Sequence, residues 1–168
     1  MIIYEVGPRD GLQSLKPLAL ENKVRYIDFL SDTGLKFIEI GSFVNPRIIP
    51  QMRDITEVVR KIRKHEGVTY SALVPNLKYY AQAVASNISE IEVFISANEE
   101  HNLKNLGVSK RQTRELISPL IAQAIEDGRR VRGYISTVWG YHKATDTPVS
   151  EVIDILKWMI DLGVYQVS

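Results

Sequence analysis

The sequence has no cysteine at any of its 168 positions, which excludes disulfides, thiolate metal sites and a thiol nucleophile within this chain. It also has no apolar run that approaches the ~20 residues of a membrane span. The first residues, Met1 to Val6, contain neither a basic region nor a small-residue cleavage site, so no secretory signal is expected there. We therefore expect a cytoplasmic protein that does not bind a membrane.

Charge of one sign is not in excess either, because the formal net charge is +1. Surfaces that bind nucleic acid usually carry a strong basic excess, so no nucleic-acid partner is expected. The basic cluster at 60–64 lies among acidic residues and is interpreted as a solvated helix face. With 45% hydrophobic and 24% charged residues, the chain has the composition and length of one globular domain with a hydrophobic core.

Short β-branched runs alternate with longer segments whose apolar residues repeat at helical spacing. Strands are predicted at 2–6, 36–40, 69–74, 90–95, 130–136 and 165–168. Helices are predicted from Leu20 to a stop at Gly34, from Ile55 to a stop at Gly67, and at 77–85, 112–126 and 148–162. The polar stretch 96–110 is interpreted as a loop, and Thr147 is predicted to cap the last helix, with Pro148 in its first turn.

This alternation predicts an α/β fold with a parallel sheet and right-handed crossovers. An open doubly wound sheet and a barrel both fit, but no G-x-G-x-x-G follows the first strand, which weakens the dinucleotide-binding version. Polar residues recur at or just after strand ends, and in a (β/α) barrel those ends form the active-site face. The pattern therefore favours a parallel (β/α)8 TIM barrel.

A complete barrel needs about 250 residues and eight strands. Only the first five to six β/α units are recognisable here, so residues 1–168 are interpreted as the N-terminal part of a single barrel domain. We expect such a chain to be inactive alone and to leave strand edges open. Four apolar residues are then expected to be exposed unless another chain covers them: Ile2, Val131, Ile135 and Val167.

The segment from Glu5 to Gln13, E-V-G-P-R-D-G-L-Q, is the motif most suggestive of chemistry. A strand leads into Arg9 and Asp10, in a loop whose glycines let the backbone approach a ligand closely. Aspartate is a hard oxygen ligand for Mg²⁺ or Mn²⁺, and arginine can hold a carboxylate or an oxyanion. The alternative is a surface turn with an Arg–Asp pair, and the motif alone does not decide between the two.

The same segment resembles the N-terminal signature of the hydroxymethylglutaryl-CoA lyase family, the DRE-TIM type metallolyases. Synthases of the same barrel group, such as isopropylmalate and citramalate synthases, usually carry D-T-T-L-R-D-G-x-Q, so Glu5, Gly7 and Pro8 favour the lyases. Further similar segments follow in the same order, at 38–46, 49–52, 74–77, 96–105 and 131–134. The resemblance implies cleavage of 3-hydroxy-3-methylglutaryl-CoA, or a similar 3-hydroxy-acyl-CoA, to acetyl-CoA and acetoacetate.

The resemblance also implies roles for individual residues. Asp10 corresponds to a ligand of a divalent metal, Mg or Mn, and Arg9 to the catalytic residue that neutralises the substrate carbonyl and the enolate. Glu39 is counted with Arg9 as a catalytic residue, and Glu39 and Gln13 correspond to polar residues near the metal, its waters and the substrate. Asn76 and the segment 102–105, with Asn105, are placed on loops that line the substrate side. An acyl-CoA substrate and a homo-oligomer are the implied partners.

Parts of the family pattern are absent or different. Its remaining metal ligands (an H-x-H pair and an asparagine), its catalytic cysteine and a late acidic residue would lie beyond Ser168. After the fifth strand, relatives often carry cysteines and a proline where this chain has T-V-W-G-Y-H at 137–142. Trp139 and Tyr141 there are expected to pack against a helix, with stacking on a CoA adenine as the alternative. His101 is expected to form a local hydrogen bond rather than to bind a metal.

Three hypotheses for the function remain. The first is a lyase, of which this chain is a portion. The second is a carboligase or synthase of the same barrel group. The third is a truncated, non-catalytic product that folds only with a partner chain.

Overall fold

A computed structural model describes residues 2–142 and 147–168 of the chain. Strands and helices alternate in these residues, as the sequence predicts. The strands are β1 (Tyr4–Glu5), β2 (Phe37–Ser42), β3 (Thr69–Leu73), β4 (Glu90–Ser96), β5 (Arg130–Ser136) and β6 (Gln166–Val167). The helices are α1 (Leu20–Ser31), α2 (Ile55–Lys61), α3 (Leu77–Ala85), α4 (Glu99–Leu106), α5 (Lys110–Glu126) and α6 (Val149–Asp161).

The strand order in the sheet follows the chain from β1 to β6. The pairs β1–β2, β2–β3 and β5–β6 are parallel, with Glu5 opposite Ile38 and Glu39 opposite Ser71. Parallel neighbours require a crossover connection, which helices provide here. The predicted parallel α/β alternation is therefore confirmed.

The chain forms two compact units. The first comprises Met1–Val74 and Lys78–Ile91, and the second comprises Pro75–Leu77 and Glu92–Ser168. That residues 1–168 belong to a single barrel domain remains a prediction.

The core of the first unit forms where α1 and α2 pack against β2. Ile38 of β2 is fully buried, and Ile27 of α1 and Val58 and Val59 of α2 are almost fully buried. Burial of one such side chain stabilises the fold by about 1.5–3 kcal/mol. Phe29 lies on the opposite side of α1 and is 67% exposed.

Gly41 permits the close approach of α2 to β2. A Cβ atom at this position would collide with Cδ1 of Ile55 and would lie 3.6 Å from the sulfur of Met52. A side chain here would therefore have to displace the first turn of α2.

Lys23 of α1 is a buried cation in the first unit, with 5% of its surface exposed. Its Nζ donates to the carbonyl oxygen of Gln51 and to Oδ1 of Asp54, at 2.5 Å from the latter. The ion pair offsets the cost of removing the ammonium from water and joins α1 to the segment before α2.

The core of the second unit lies between β5 and the helices α5 and α6. Leu120 and Ile155 are fully buried there. Val131 and Ile135 of β5 are 1% and 7% exposed, so the expectation that both would be exposed is wrong. The reason is that α5 and α6 cover this strand within the chain itself. Ile2, by contrast, is 67% exposed, as expected.

The prediction of a loop at 96–110 is wrong, because α4 forms within it. The Asn98 side chain caps the helix by accepting from the His101 backbone N–H at 3.0 Å, and Gly107 ends it with φ of 73°. Acidic residues at 99 and 100 favour the first turn through the helix dipole. Hydrophobic spacing did not reveal the helix, because few of its residues are apolar.

The ends of several other helices and strands also differ from the predicted ends. α2 ends at Lys61, well before the predicted stop at Gly67, and β1 is only two residues long. α6 begins at Val149 with Pro148 as its N-cap, so the prediction of a Thr147 cap is wrong. The Thr147 hydroxyl donates instead to the carbonyl of Thr137, at 2.5 Å. Among the described residues, no helix is both long and apolar enough to cross a membrane.

Candidate active site

The backbone after β1 forms a π-helical turn over Gly7–Gly11, which is called the first turn below. The carbonyl of Val6 accepts hydrogen bonds from the backbone N–H groups of Asp10, at 2.7 Å, and Arg9, at 3.1 Å. Pro8 is buried and lacks an N–H that would need a partner. The first turn thus fixes the direction of the Arg9 and Asp10 side chains.

Gly7 is required by the crowding around it. A Cβ atom there would collide with the Tyr26 hydroxyl and would lie 2.6 Å from Oε1 of Glu5. The backbone N–H of Gly7 donates to that same Glu5 oxygen at 2.6 Å. Burial, and secondly the charge of Glu5, raises the pKa of Tyr26, so its phenol stays protonated near neutral pH.

Arg9 and Glu39 form a two-point ion pair. Nε of Arg9 donates to Oε1 of Glu39 at 2.6 Å, and Nη2 donates to Oε2 at 3.2 Å. The Glu39 side chain is 0% exposed and that of Arg9 is 15% exposed. Because the fork of a guanidinium matches both carboxylate oxygens, this geometry holds the cation in one orientation.

Asp10 lies on the other side of Arg9. Nη1 of Arg9 donates to Oδ1 of Asp10 at 3.0 Å, and the Asp10 side chain is 67% exposed. The guanidinium therefore bridges a buried carboxylate, Glu39, and an accessible one. The predicted juxtaposition of these three residues is observed, while their catalytic and metal-binding roles remain predictions.

The cluster contains a side chain of the type that binds a divalent metal, but it contains too few such side chains to hold the ion. The Asp10 carboxylate is the hard oxygen donor that Mg²⁺ or Mn²⁺ prefers. However, no group of three or more His, Cys, Asp or Glu side chains suited to a metal occurs within residues 2–142 and 147–168. The Glu39 side chain is fully buried, and its carboxylate accepts hydrogen bonds from the Arg9 guanidinium.

The other predicted substrate residues differ in position and burial. Gln13 is half-buried directly after the first turn, in the same unit as Arg9. Asn76 is half-buried in the second unit, in the bend between β3 and α3. Asn105 lies on helix α4, not on a loop as predicted, and its side chain is exposed.

Asn102, in the same predicted segment as Asn105, is a structural residue. It is fully buried, and its Oδ1 accepts from the backbone N–H of Ser96 at 3.0 Å. Its Nδ2 donates to the Val108 carbonyl at 2.8 Å and to the Thr113 hydroxyl at 2.7 Å. One amide thus joins the end of β4 to α4 and α5.

The second unit contains a buried ion pair that the sequence did not single out. Nη1 of Arg132 donates to Oε1 of Glu92 and to the Tyr134 hydroxyl, both at 2.8 Å. The guanidinium lies 4.4 Å from the centre of the Tyr134 ring. Burial lowers the pKa of Arg132, but the charge of Glu92 and the hydrogen bonds to Tyr134 and Glu92 outweigh burial, and the net effect is a raised pKa. The sequence does contain a signal for this ion pair, because charged residues recur at alternate positions of the predicted strands.

The residues after β5 form a strained turn at 137–140, called the β5 turn below. Thr137 has φ of 59°, and Gly140 closes the turn by donating its N–H to the Thr137 carbonyl at 3.1 Å. A β-branched residue in this region costs on the order of 1–3 kcal/mol and persists only where its surroundings fix it. Trp139 in this turn is 94% exposed, so the expectation that it packs against a helix is wrong.

Aromatic and imidazole rings cluster beside the β5 turn. The rings of His101 and Tyr141 are 4.8 Å apart between centroids, and those of Tyr141 and His142 are 4.0 Å apart. Nδ1 of His101 lies 3.5 Å from the Ser136 hydroxyl. Burial, and secondly the charge of Lys104, lowers the pKa of His101, so its imidazole is neutral at pH 7.

Comparison with known proteins extends these observations. The family model described as HMGL-like matches residues 1–168. The 3-hydroxy-3-isohexenylglutaryl-CoA/hydroxymethylglutaryl-CoA lyase of Pseudomonas aeruginosa is 41% identical over 167 residues, which cover 99% of this chain and 56% of the relative.

Two solved structures are similar in both fold and sequence. The HMG-CoA lyase of Bacillus subtilis superposes with a TM-score of 0.95 at 40% identity, over 99% of this chain and 56% of its own. An HMG-CoA lyase of Acinetobacter baumannii, solved in complex with coenzyme A and 3-methylmalate, gives 0.93 at 32% identity, over 99% and 54%.

The chain therefore spans just over half the length of these relatives. Over that span it has their fold, a partial TIM barrel with helices between parallel strands. The predicted fold class is confirmed.

Proposed function

The chain belongs to the HMGL-like family, and from that membership we propose that it serves in a carbon–carbon lyase that cleaves 3-hydroxy-3-methylglutaryl-CoA or a close homologue. The products would be acetoacetate and acetyl-CoA. The support is twofold: the relatives reported above are named as lyases of this substrate, and this chain holds an arginine rigidly beside an accessible carboxylate.

The observation that carries the proposal is the two-point pair between Arg9 and Glu39. In the cleavage, a base takes the proton of the 3-hydroxyl, the bond between C2 and C3 of the substrate breaks, and C3 becomes the ketone carbon of acetoacetate. The electrons of the broken bond form the enolate of acetyl-CoA, and charge collects on the thioester oxygen until C2 is protonated. Arg9 is assigned to that oxygen, because a fixed cation stabilises charge that develops only in the transition state. Glu39 positions Arg9 and does not itself touch the substrate.

Asp10 is proposed as one ligand of a divalent metal, Mg²⁺ or Mn²⁺. Such an ion would acidify the 3-hydroxyl of the substrate and fix its orientation. One carboxylate does not hold a divalent ion alone, and residues 2–142 and 147–168 contain no group of three or more His, Cys, Asp or Glu side chains suited to a metal, so we propose that further ligands come from other parts of the enzyme. For the same reason we propose that these 168 residues have no turnover by themselves.

The test is an assay of acetoacetate release from an enzyme of the relatives' length that carries this sequence as residues 1–168. Arg9→Gln should lower kcat on the order of 10² or more, with metal affinity nearly intact. Asp10→Ala should weaken the metal's binding. Arg60→Gln is the matched control, because Arg60 pairs with Glu57 on the surface, where its side chain is 69% exposed.

Two results would refute the proposal. Wild-type turnover of Arg9→Gln would remove the assigned role, and condensation of acetyl-CoA with a 2-oxo acid without acetoacetate release would indicate a synthase. Glu5, Gly7 and Pro8 of the first motif favour the lyase over that alternative.

A further inference from the structure

Glu5 is a carboxylate beside the candidate site that has no part in the chemistry described above. It lies on β1, opposite Ile38 of β2, which precedes Glu39 in the chain. Glu5 is half-buried, and its Oε1 accepts the backbone N–H of Gly7 at 2.6 Å. The Glu5 side chain thus reaches forward along the chain to the first residue of the first turn, which carries Arg9.

The hydrogen bond from Gly7 completes the pairing of N–H groups at the start of the first turn. The earliest N–H groups of a helical turn have no partner inside it. Those of Arg9 and Asp10 reach back to the Val6 carbonyl, at 3.1 and 2.7 Å. That of Gly7 donates to the Glu5 carboxylate instead. A hydrogen bond to an ionised acceptor is roughly twice as strong as one to a neutral acceptor, so Glu5 is a firm anchor for the turn.

The space around Gly7 limits the movement of the first turn. A Cβ atom at Gly7 would collide with the hydroxyl of Tyr26 from α1 and would lie 2.6 Å from Oε1 of Glu5. The phenol and the carboxylate therefore occupy the space that a side chain at this position would take. The turn cannot move toward them without a collision, and the hydrogen bond to Glu5 opposes movement away.

Arg9 is thereby held from two neighbouring strands. Its guanidinium pairs with Glu39 of β2, with contacts of 2.6 and 3.2 Å, and its backbone belongs to the turn that is anchored on β1. Asp10 is 67% exposed, so the backbone of the turn and the contact with Arg9 set the direction of its carboxylate. Loss of the anchor would displace both side chains, and a displacement of about 1 Å can lower turnover on the order of 10²-fold.

We propose that Glu5 is a positioning residue: through the Gly7 N–H it fixes the first turn, and so directs Arg9 toward the substrate and Asp10 toward the metal. Glu5 itself touches neither. The inference rests on the proposed function in one respect, which is that the direction of these two side chains matters for turnover. The hold of Glu5 on the turn can be measured without any turnover.

Two substitutions of similar length separate a positioning role from a chemical one. Glu5→Gln keeps an oxygen that can accept the Gly7 N–H, but it removes the charge and the basicity of the carboxylate. Glu5→Met keeps the length and removes the acceptor as well. If Glu5 acts through the hydrogen bond, Glu5→Gln resembles the wild type. If Glu5 acts as a base or a metal ligand, both variants lose activity alike.

Hydrogen exchange measured by NMR on the 168-residue chain tests the hold on the turn. In Glu5→Met, the Arg9 Nε–H should exchange on the order of tenfold faster relative to the buried N–H of Ile27 in α1. Reading the rate against Ile27 separates a local change from a general loss of stability. Glu5→Gln should stay within about twofold of the wild type. Glu21→Met, at an exposed position in the first turn of α1, is the matched control and should change nothing.

The acetoacetate assay, in an enzyme of the relatives' length, tests the consequence for turnover. Glu5→Met should lower kcat on the order of tenfold with KM nearly unchanged, and Glu5→Gln should stay within about threefold of the wild type. Equal loss of kcat in the two variants would overturn the proposal, as would an unchanged exchange rate of Arg9 Nε–H in Glu5→Met. Absence of acetoacetate from the wild-type enzyme would refute the proposed function, while the exchange rates would still decide whether Glu5 holds the turn.

Discussion

Replacing Glu39 by glutamine keeps the shape of the side chain and removes its charge, so it tests the ion pair at the centre of the proposed site. Arg9 would lose a buried carboxylate that it contacts at 2.6 and 3.2 Å. Breaking a buried pair from one side costs about 3–5 kcal/mol. Arg9 is 15% exposed and keeps Asp10, and glutamine can still accept one hydrogen bond, so the expected loss is about 2–3 kcal/mol.

The measurement is urea unfolding of the chain followed by circular dichroism, with the slope m compared between variants. Glu57→Gln is the matched control, because the same substitution breaks a surface pair with Arg60 and should cost only about 0–0.5 kcal/mol. The double variant Arg9→Met with Glu39→Gln should recover much of the lost stability, since no unpaired buried charge remains. A cost for Glu39→Gln within about 0.5 kcal/mol of the control would refute the reasoning.

Three further outcomes are expected. Asn102→Ala should lower the free energy of unfolding by about 2 kcal/mol, because the buried backbone N–H of Ser96 loses its acceptor and the Val108 carbonyl and Thr113 hydroxyl each lose a hydrogen bond. Asn105→Ala, on the exposed side of α4, should leave the free energy of unfolding unchanged in the same urea titration. Gly41→Ala should lower the free energy of unfolding by about 1–3 kcal/mol, because the added Cβ collides with Cδ1 of Ile55. Ile55→Val removes that atom, so adding it should restore part of the lost stability; if it restores none, the collision is not the cause. Because the pKa of His101 is lowered in the folded chain, its contribution to the free energy of unfolding is fully present above the unfolded pKa of ~6.5 and is lost as the pH falls through the folded pKa. Between pH 7.5 and 5, the urea midpoint should therefore fall less in His101→Phe than in the wild-type chain.

Much of the fold could be predicted because its elements follow the two hydrophobic periods. The helix at 77–85 and the strand at 130–136 have the predicted ends. The helix α4 was missed because its signals are polar: the side-chain cap of Asn98 and the positive φ of Gly107. Caps are local and specific, yet they do not alter hydrophobic spacing, which was the property used to place helices.

The candidate site was predictable where it depends on strand ends and unpredictable where it depends on tertiary packing. Arg9 and Glu39 could be placed together, because they follow or lie near the ends of neighbouring parallel strands. Nothing in the spacing of Asn102 and Asn105 shows that the first is buried in a hydrogen-bond network and the second is exposed. The left-handed conformation of Thr137 could not be predicted from the sequence either, because contacts with distant residues impose it.

The buried ammonium of Lys23 makes it a reporter for covalent labelling. Amine-reactive esters need a deprotonated and accessible nitrogen, whereas this one is 5% exposed and bound to Gln51 and Asp54. Acylation of Lys23 therefore requires α1 to separate from the segment before α2. Its rate, read by mass spectrometry against that of the exposed Lys61, gives the frequency with which this junction opens in the native chain.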